Sequence, residues 1–496
     1  MSSPQPPAPK ALGSTEWLIC FIAVIGFAFD IYELLMLPLI VKPAIAALSA
    51  PLIEQMVQGG MARPEALTQW LPGGESYVKW ARTLFFVPAI FGGVFGLIGG
   101  YLTDRLGRRR VLTFSILLYA FAAGAAGLST SLWQLLFFRC LVFIGVCVEF
   151  VAAVAWLAEL FPNPAQREKV LGFTQAFSSV GGFMVSGAYL LCVNYANSLP
   201  AIQGGQDAWR YTLISGLIPA IPLILIRPFL PESPVWAKKR EAGELKRASL
   251  AALFTPELIR TTIVTGIIVA SCYGLAFGAI QHLPQIVPGL TDVKTAAKAK
   301  QDGLVKAATD AGKPAPDAKA VAAAGRQESE RFAGEVQLWQ EVGGMVGRLA
   351  LAGVIIVIVS KRNVLRIFHL TALVCVPAFF WWLSKNLGQT ANLDTVKWGA
   401  ALCGFFVVAT FSFWGNYLPL VYPVHLRGTG ESWAANIGGR ILGTSAAWFT
   451  FTLSAAKPPD PSKIALTAAM VAGVFALIGA VATQWLPEPK PEHAEE

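Results

Sequence analysis

The sequence predicts an all-α integral membrane protein with twelve transmembrane helices in two six-helix halves. Three observations predict it. The first is composition. Of 496 residues, 55% are hydrophobic and 14% are charged, with a mean hydropathy of +0.55. Soluble proteins of this size carry about a quarter charged residues. This chain cannot cover its surface with polar groups, so lipid must cover it. The second is the number of long apolar runs. The third is the side on which the basic residues fall.

A spanning helix needs about 20 predominantly apolar residues. Twelve segments qualify: 16–41, 81–102, 110–129, 132–160, 168–193, 210–230, 259–284, 337–360, 364–384, 396–424, 432–455 and 463–486. The first follows a polar, Pro-rich leader, Met1 to Ser14, with no signal-peptide cleavage pattern, so it is expected to stay as a helix. The fourth and tenth are long enough to tilt or protrude. Six helices, a charged helix-prone linker at 231–258 and six more give halves of 1–230 and 259–496, with a solute site expected at the midplane between them.

With the N-terminus inside, the inner loops carry Arg105, Arg108, Arg109 and Arg110, then Arg167 and Lys169, then Lys238, Lys239, Arg240, Lys246 and Arg247, then Lys361 and Arg362, then Arg427. The short outer loop 194–209 has no Lys and only Arg210 at its edge. This asymmetry puts both termini in the cytoplasm. Trp80, Trp133, Trp209, Trp339, Trp381 and Trp398 fall near outer ends, as an aromatic belt requires. Two outer segments are long, 42–79 and 285–336. The second is rich in Ala and Lys and reads as short surface helices serving as a spacer. Its basic residues do not reverse the topology, because long loops cross regardless of charge.

The net charge of +9 sits mostly in loops and helix ends. It reads as topology and contact with anionic lipid, and no basic stripe points to nucleic acid. The seven cysteines and four histidines form no metal-ligand spacing, and no cofactor is expected. No Walker loop or Ser-His-Asp set is apparent, so neither an enzyme nor an ATP-driven pump is expected.

Ionisable groups inside membrane helices cost about 2.5 kcal/mol or more and are functional candidates by default. Asp30 is the deepest carboxylate, and Glu33 lies three residues on, where both share a helix face. The fourth segment carries Arg139 and Glu149. An Asp beside Arg has a lowered pKa, and one deprived of Arg in an apolar site has a raised one. Alternation between those environments moves a proton. Candidates for solute contact are Gln175, Tyr273, Gln281, Glu341, Arg348, Trp414, Asn416, Asn436 and Arg440. Arg348 and Arg440 are cations able to hold a carboxylate or phosphate. Glu341, two turns from Arg348, would neutralise it internally. Arg440 lies toward the cytoplasmic end, and His282 reads as a satisfied interfacial histidine.

Residues 99–110, Gly-Gly-Tyr-Leu-Thr-Asp-Arg-Leu-Gly-Arg-Arg-Arg, resemble the loop between helices 2 and 3 of major facilitator superfamily transporters. Arg139 to Gly145, then Ala158-Glu159-Leu-Phe-Pro162 and Arg167, with Pro231-Glu232-Ser233-Pro234, resemble the sugar porter and metabolite:proton symporter branch. Glu149 is more similar to the symporter pattern. The resemblance implies a cytoplasmic gate cluster of Asp104, Arg105, Arg108, Glu159, Arg167 and Glu232, and a proton-sensitive pair of Asp30 with Arg139. It also implies that Gln175 meets solute. It weakens in the second half: segment 7 lacks the sugar-porter glutamines, Leu420 stands where the family has Glu, and Gly343 through Arg362 has no Asp. The expectation is therefore proton-coupled symport of a small polar metabolite, an organic acid ahead of a sugar, by a monomer in a bacterial-type cytoplasmic membrane. A uniporter, a drug:proton antiporter and a non-transporting sensor are the alternatives.

Overall fold

The computed structural model describes residues 13–489 apart from 162–165, 167–169, 171–172, 175–176, 227–231, 243–248, 313, 359, 424–425, 457 and 459. The membrane helices are α1 (Ser14–Leu48), α2 (Glu75–Leu106), α3 (Arg108–Gly127), α4 (Leu132–Leu160), α5 (described from Val180–Tyr195), α6 (Ala208–Ser215 and Leu217–Ile226), α7 (Ile259–Gly278), α8 (Ala318–Val357), α9 (Lys361–Asn386), α10 (Leu393–Val421), α11 (Arg427–Ser432, Trp433–Gly443 and Ser445–Leu453) and α12 (Pro461–Ala482). This is the twelve-helix major facilitator fold. Nine of these, all but α5, α8 and α11, are long and apolar enough to cross a membrane among the described residues.

Glycine sets how closely the helices pack. In membranes small residues let backbones approach where no hydrophobic force drives association. A Cβ on Gly343 or Gly347 of α8 would strike the carbonyls of Ala401 and Phe405 on α10. In the first half, Gly92 and Gly99 bring α2 against Cys147 and Val148 of α4. The α2–α4 pair and the α8–α10 pair thus occupy matching places in the two sets of six. Between the sets, Gly96 of α2 accommodates Asn436 of α11 and Gly93 accommodates Ile441.

Three elements differ from expectation. The outer segment 285–336 is more than short helices. It forms a 20-residue helix, Thr291–Asp310, and then the outer part of α8, which runs unbroken for 40 residues. Ala-rich sequence with charges on exposed faces favours helix whether or not lipid surrounds it, so hydropathy marked only the inner half. Helix α11 begins at Arg427 rather than 432 and contains an eleven-residue π-helix. Helix α6 breaks at Gly216.

The outer ends of the two sets are joined. Tyr77 Oη donates to Gln285 Oε1 at 3.0 Å, Arg82 Nη1 to Thr452 Oγ1 at 3.4 Å, and the Ala456 amide to the Gly73 carbonyl at 3.0 Å. His282 is buried, stacked on Phe85 and edge-on to Phe451. It is therefore packed between rings and not exposed at the interface.

Candidate functional site

A cavity of about 110 Å³ lies between the two sets of helices. One ordered water needs about 10–15 Å³ on that measure, so there is room for a small solute. Its walls are largely aromatic and aliphatic: Phe27, Phe150, Tyr273, Phe277, Phe411 and Trp414. Set into these walls are Asp30, Gln281, Glu341, Arg348, Glu431 and Arg440.

Helix α11 supplies one cation through a polar chain. Arg440 Nη1 donates to Asn436 Oδ1 at 2.7 Å, Asn436 Nδ2 to Ser432 Oγ at 3.0 Å, and Ser432 Oγ to the Gly96 carbonyl of α2 at 3.3 Å. The guanidinium lies 5.5 Å from the Phe150 ring centre. Cys147, Tyr273 and Asp30 are the groups that act on it electrostatically. The π segment carries both Asn436 and Arg440, and such helices are rare and concentrate at functional sites. Arg440 is thus in the central cavity and not near the cytoplasmic end.

Helix α8 supplies the second cation. Arg348 Nη1 donates to Ser178 Oγ of the loop before α5. Glu341, one side of the same cavity, accepts from Gln337 Nε2 at 3.2 Å and Gln340 Nε2 at 3.0 Å. Its oxygens approach Gly182 so closely that a Cβ there would collide with them. Glu341 still acts on Arg348 through the field, but its hydrogen bonds go to the two glutamines. Gln281 Oε1 is buried in the cavity wall with no hydrogen-bond partner among the described residues.

The expected pairing of Asp30 with Arg139 is replaced. Arg139 Nη1 lies 3.6 Å from Glu33 Oε2, and Nη2 donates to the Glu33 carbonyl at 3.2 Å. Both side chains are fully buried between α1 and α4, away from the cavity. Three residues leave two side chains roughly 60° apart around a helix. That angle aims Glu33 at α4 and Asp30 at the cavity. Glu149 is hydrogen-bonded to Tyr119 of α3 inside the first six helices and does not line the cavity.

At the end of the bundle where α2 meets α3, Arg108 Nη2 pairs with Glu159 Oε1 at 2.8 Å. Glu232 Oε1 accepts from the amides of Arg108 at 3.0 Å, Arg109 at 3.2 Å and Ser233 at 3.0 Å. Gly107 links α2 to α3 at φ 96°, and a Cβ there would strike Glu232, so only glycine suits the turn. The structure therefore brings Arg108, Glu159 and Glu232 together. Arg105 lies in the last turn of α2. Arg167 and Gln175 lie outside the described residues, as do the side chains of Asp104 and Asn416.

Two residues escaped the sequence reading. Glu431 is 4% exposed and faces the cavity. It fell one residue before the segment drawn at 432. Glu488 caps α9, accepting from Ser360 Oγ at 2.5 Å and from the amides of Lys361 at 3.1 Å and Arg362 at 3.2 Å. The signal was present as a repeated Leu-Pro-Glu, at 230–232 and 486–488.

Residues 68–267 match the family model described as "Sugar (and other) transporter". The "Probable 4-methylmuconolactone transporter" of Cupriavidus pinatubonensis is 29% identical over 188 residues, which is 38% of this chain and 42% of that relative. The chain thus spans less than half the length of that relative. The 4-hydroxybenzoate transporter PcaK of Pseudomonas aeruginosa is 26% identical over 74% of this chain and 76% of its own. The xylose transporter XylE from E. coli, solved partially occluded and inward open, aligns with a TM-score of 0.63, covering 96% of this chain and 99% of that one at 15% identity. That last likeness is one of fold.

Proposed function

We propose that the chain is a secondary transporter of the major facilitator type, nearest the sugar porter and metabolite:proton symporter branch, that carries a small organic acid together with protons by alternating access; its fold and its family-model match support that reading. Residues 1–230 and 259–496 are the two moving halves, and the linker 231–258 joins them at the cytoplasmic face.

The observation that carries the reading is one cavity lined by aromatic rings that holds Arg348, Arg440 and Asp30. An apolar wall with two guanidiniums suits an organic anion with a hydrophobic body. Asp30 acts on Arg440, so an incoming carboxylate competes with Asp30 for that cation. A carboxylate that loses its cation in an apolar site favours the protonated form. Solute binding at Arg440 and proton uptake at Asp30 are then one event. The relatives named for 4-methylmuconolactone and 4-hydroxybenzoate support an acid over a sugar. The Glu33–Arg139 pair, fully buried and outside the cavity, is a tie between α1 and α4.

The test is internal pH in liposomes holding the purified protein, on addition of monocarboxylates, dicarboxylates, aromatic acids and sugars. An aromatic acid is expected to drive proton entry, and Asp30→Asn to reduce it by roughly tenfold or more, a loss of about 1.4 kcal/mol of coupling. Labelled acid that equilibrates with no proton movement would make the protein a uniporter. Proton entry driven by sugars alone would sink the acid reading.

A further inference from the structure

The cavity holds a carboxylate that the mechanism above leaves unused. Glu431 stands in the first turns of α11, at the cytoplasmic end of the cavity, and is 4% exposed. Its Oε1 is buried with no hydrogen-bond partner. Among the described residues it forms no ion pair, whereas every other ionisable group lining the cavity has a hydrogen bond or a charged neighbour.

The charged and titratable groups on the elements packed against this turn are few. Helix α2 ends in Asp104 and Arg105, α4 carries Glu149 and Glu159, α10 offers Tyr417 and Tyr422, and α11 itself carries Arg427 and Arg440. The turn at Leu250–Phe254 has none. Glu159 is taken by Arg108, Glu149 by Tyr119, Tyr417 by the Pro487 carbonyl, and Arg440 by Asn436. None of these groups forms a hydrogen bond or ion pair with Glu431 among the described residues.

An unpaired carboxylate would repel the organic anion proposed above, since the cavity then sets three carboxylates against two guanidiniums. A buried charge without a partner is costly, and a proton removes it. The two carboxylates also stand at different depths: Asp30 lies mid-helix on α1, while Glu431 lies in the first turns of α11, at the end that the proposed topology makes cytoplasmic, and both line the one cavity.

We propose that Glu431 is the exit-side proton acceptor of the transport cycle, taking the proton that leaves Asp30 and releasing it to the cytoplasm. The transfer is balanced: Glu431, neutral while the anion is bound, first gives its proton to cytoplasmic water as the anion leaves, the carboxylate so formed takes the proton of Asp30, and Asp30 re-forms its interaction with Arg440, so that one proton crosses per cycle and Glu431 is neutral again. The assignment rests on the proton-coupled reading above.

The test uses right-side-out membrane vesicles containing the full chain, with labelled benzoate as probe and the pH of each side set independently. If benzoate is not carried, each acid of the liposome panel is tried in turn. In the native protein, uptake is expected to slow as the inside is acidified. In Glu431→Gln that inner-pH dependence is expected to vanish, while dependence on outer pH and benzoate exchange at equal pH persist. Exchange also reports that the variant is folded. Should Glu431→Gln not fold, Glu431→Asp keeps the question open to measurement: it must shift the inner-pH midpoint. A variant that keeps the native inner-pH profile overturns the role of Glu431 alone. Failure of every acid to be carried by the native protein overturns the transport reading and this assignment with it.

Discussion

The two sets of six helices solve one problem at the end where α3 and α9 begin, and they solve it to different depths. In each, a Leu-Pro-Glu after the last helix returns to cap the third: Glu232 on α3 and Glu488 on α9. An acidic side chain at a helix N-terminus satisfies free amides and meets the positive end of the helix dipole. The first half adds a second tie, Arg108 to Glu159, which binds the capped helix to α4. In the second set Leu420 near the end of α10 offers no acid, and Arg362 Nε donates instead to the Leu486 carbonyl at 2.8 Å. The cap is thus the part both sets share, and the Arg108–Glu159 pair is a further tie described in the first.

Four measurements would break or sharpen that comparison. Glu232→Ala removes three accepted amides and uncovers the positive turn beside Arg108, so thermal unfolding in detergent should register a loss of about 2 kcal/mol. Glu488→Ala removes a more exposed cap and should cost about 1 kcal/mol. Equal losses would mean that the Arg108–Glu159 tie adds nothing to the first collar. Leu420→Glu offers the second half the missing acid, and should raise stability by under about 1 kcal/mol, an amount that salt removes. No gain at low salt would show that the second collar has no cation placed to receive it.

The smallest effect concerns the outer face. Glu330, on the part of α8 beyond the membrane, is pushed up to about 7 by loss of hydration, against the opposing pull of Lys42 and Arg326. Its folded form therefore holds a proton more tightly than the unfolded chain does. The stability linked to it is full below about 4.5 and declines as pH rises toward about 7. Hydrogen exchange across 318–336 should accelerate over that interval, and Glu330→Gln should flatten the trend.

Most of the fold was legible because lipid imposes length and charge asymmetry on any sequence that spans it. The first collar was legible too, since Arg108, Glu159 and Glu232 sit in a recognisable spacing. The second was hidden because Pro487-Glu488-Pro489 lacks the Ser-Pro that makes Pro231-Glu232-Ser233-Pro234 recognisable, and the stretch from Gly343 to Arg362 has no Asp. Asp30 and Glu33 could not be assigned apart, because a shared helix face leaves the partner undecided. Glu431 was lost to a boundary drawn one residue late. The π segment leaves no mark in hydropathy, which cannot tell an i→i+5 ladder from an i→i+4 one.

The length of α8 has a mechanical consequence. Its 40 residues run about 60 Å without an internal proline, so the outer hairpin and Arg348 ride on a single rod. Kinks need an identifiable cause, such as proline or an inserted side chain. Without one, a tilt of the second half swings the hairpin as a pointer swings on a dial. The hairpin is fastened to the first half where Gln327 Nε2 donates to the Val193 carbonyl at the end of α5. That bond, together with the pull between Glu330 and Lys42 of α1, acts as a latch at the long arm of a lever, where a small force opposes a large movement below.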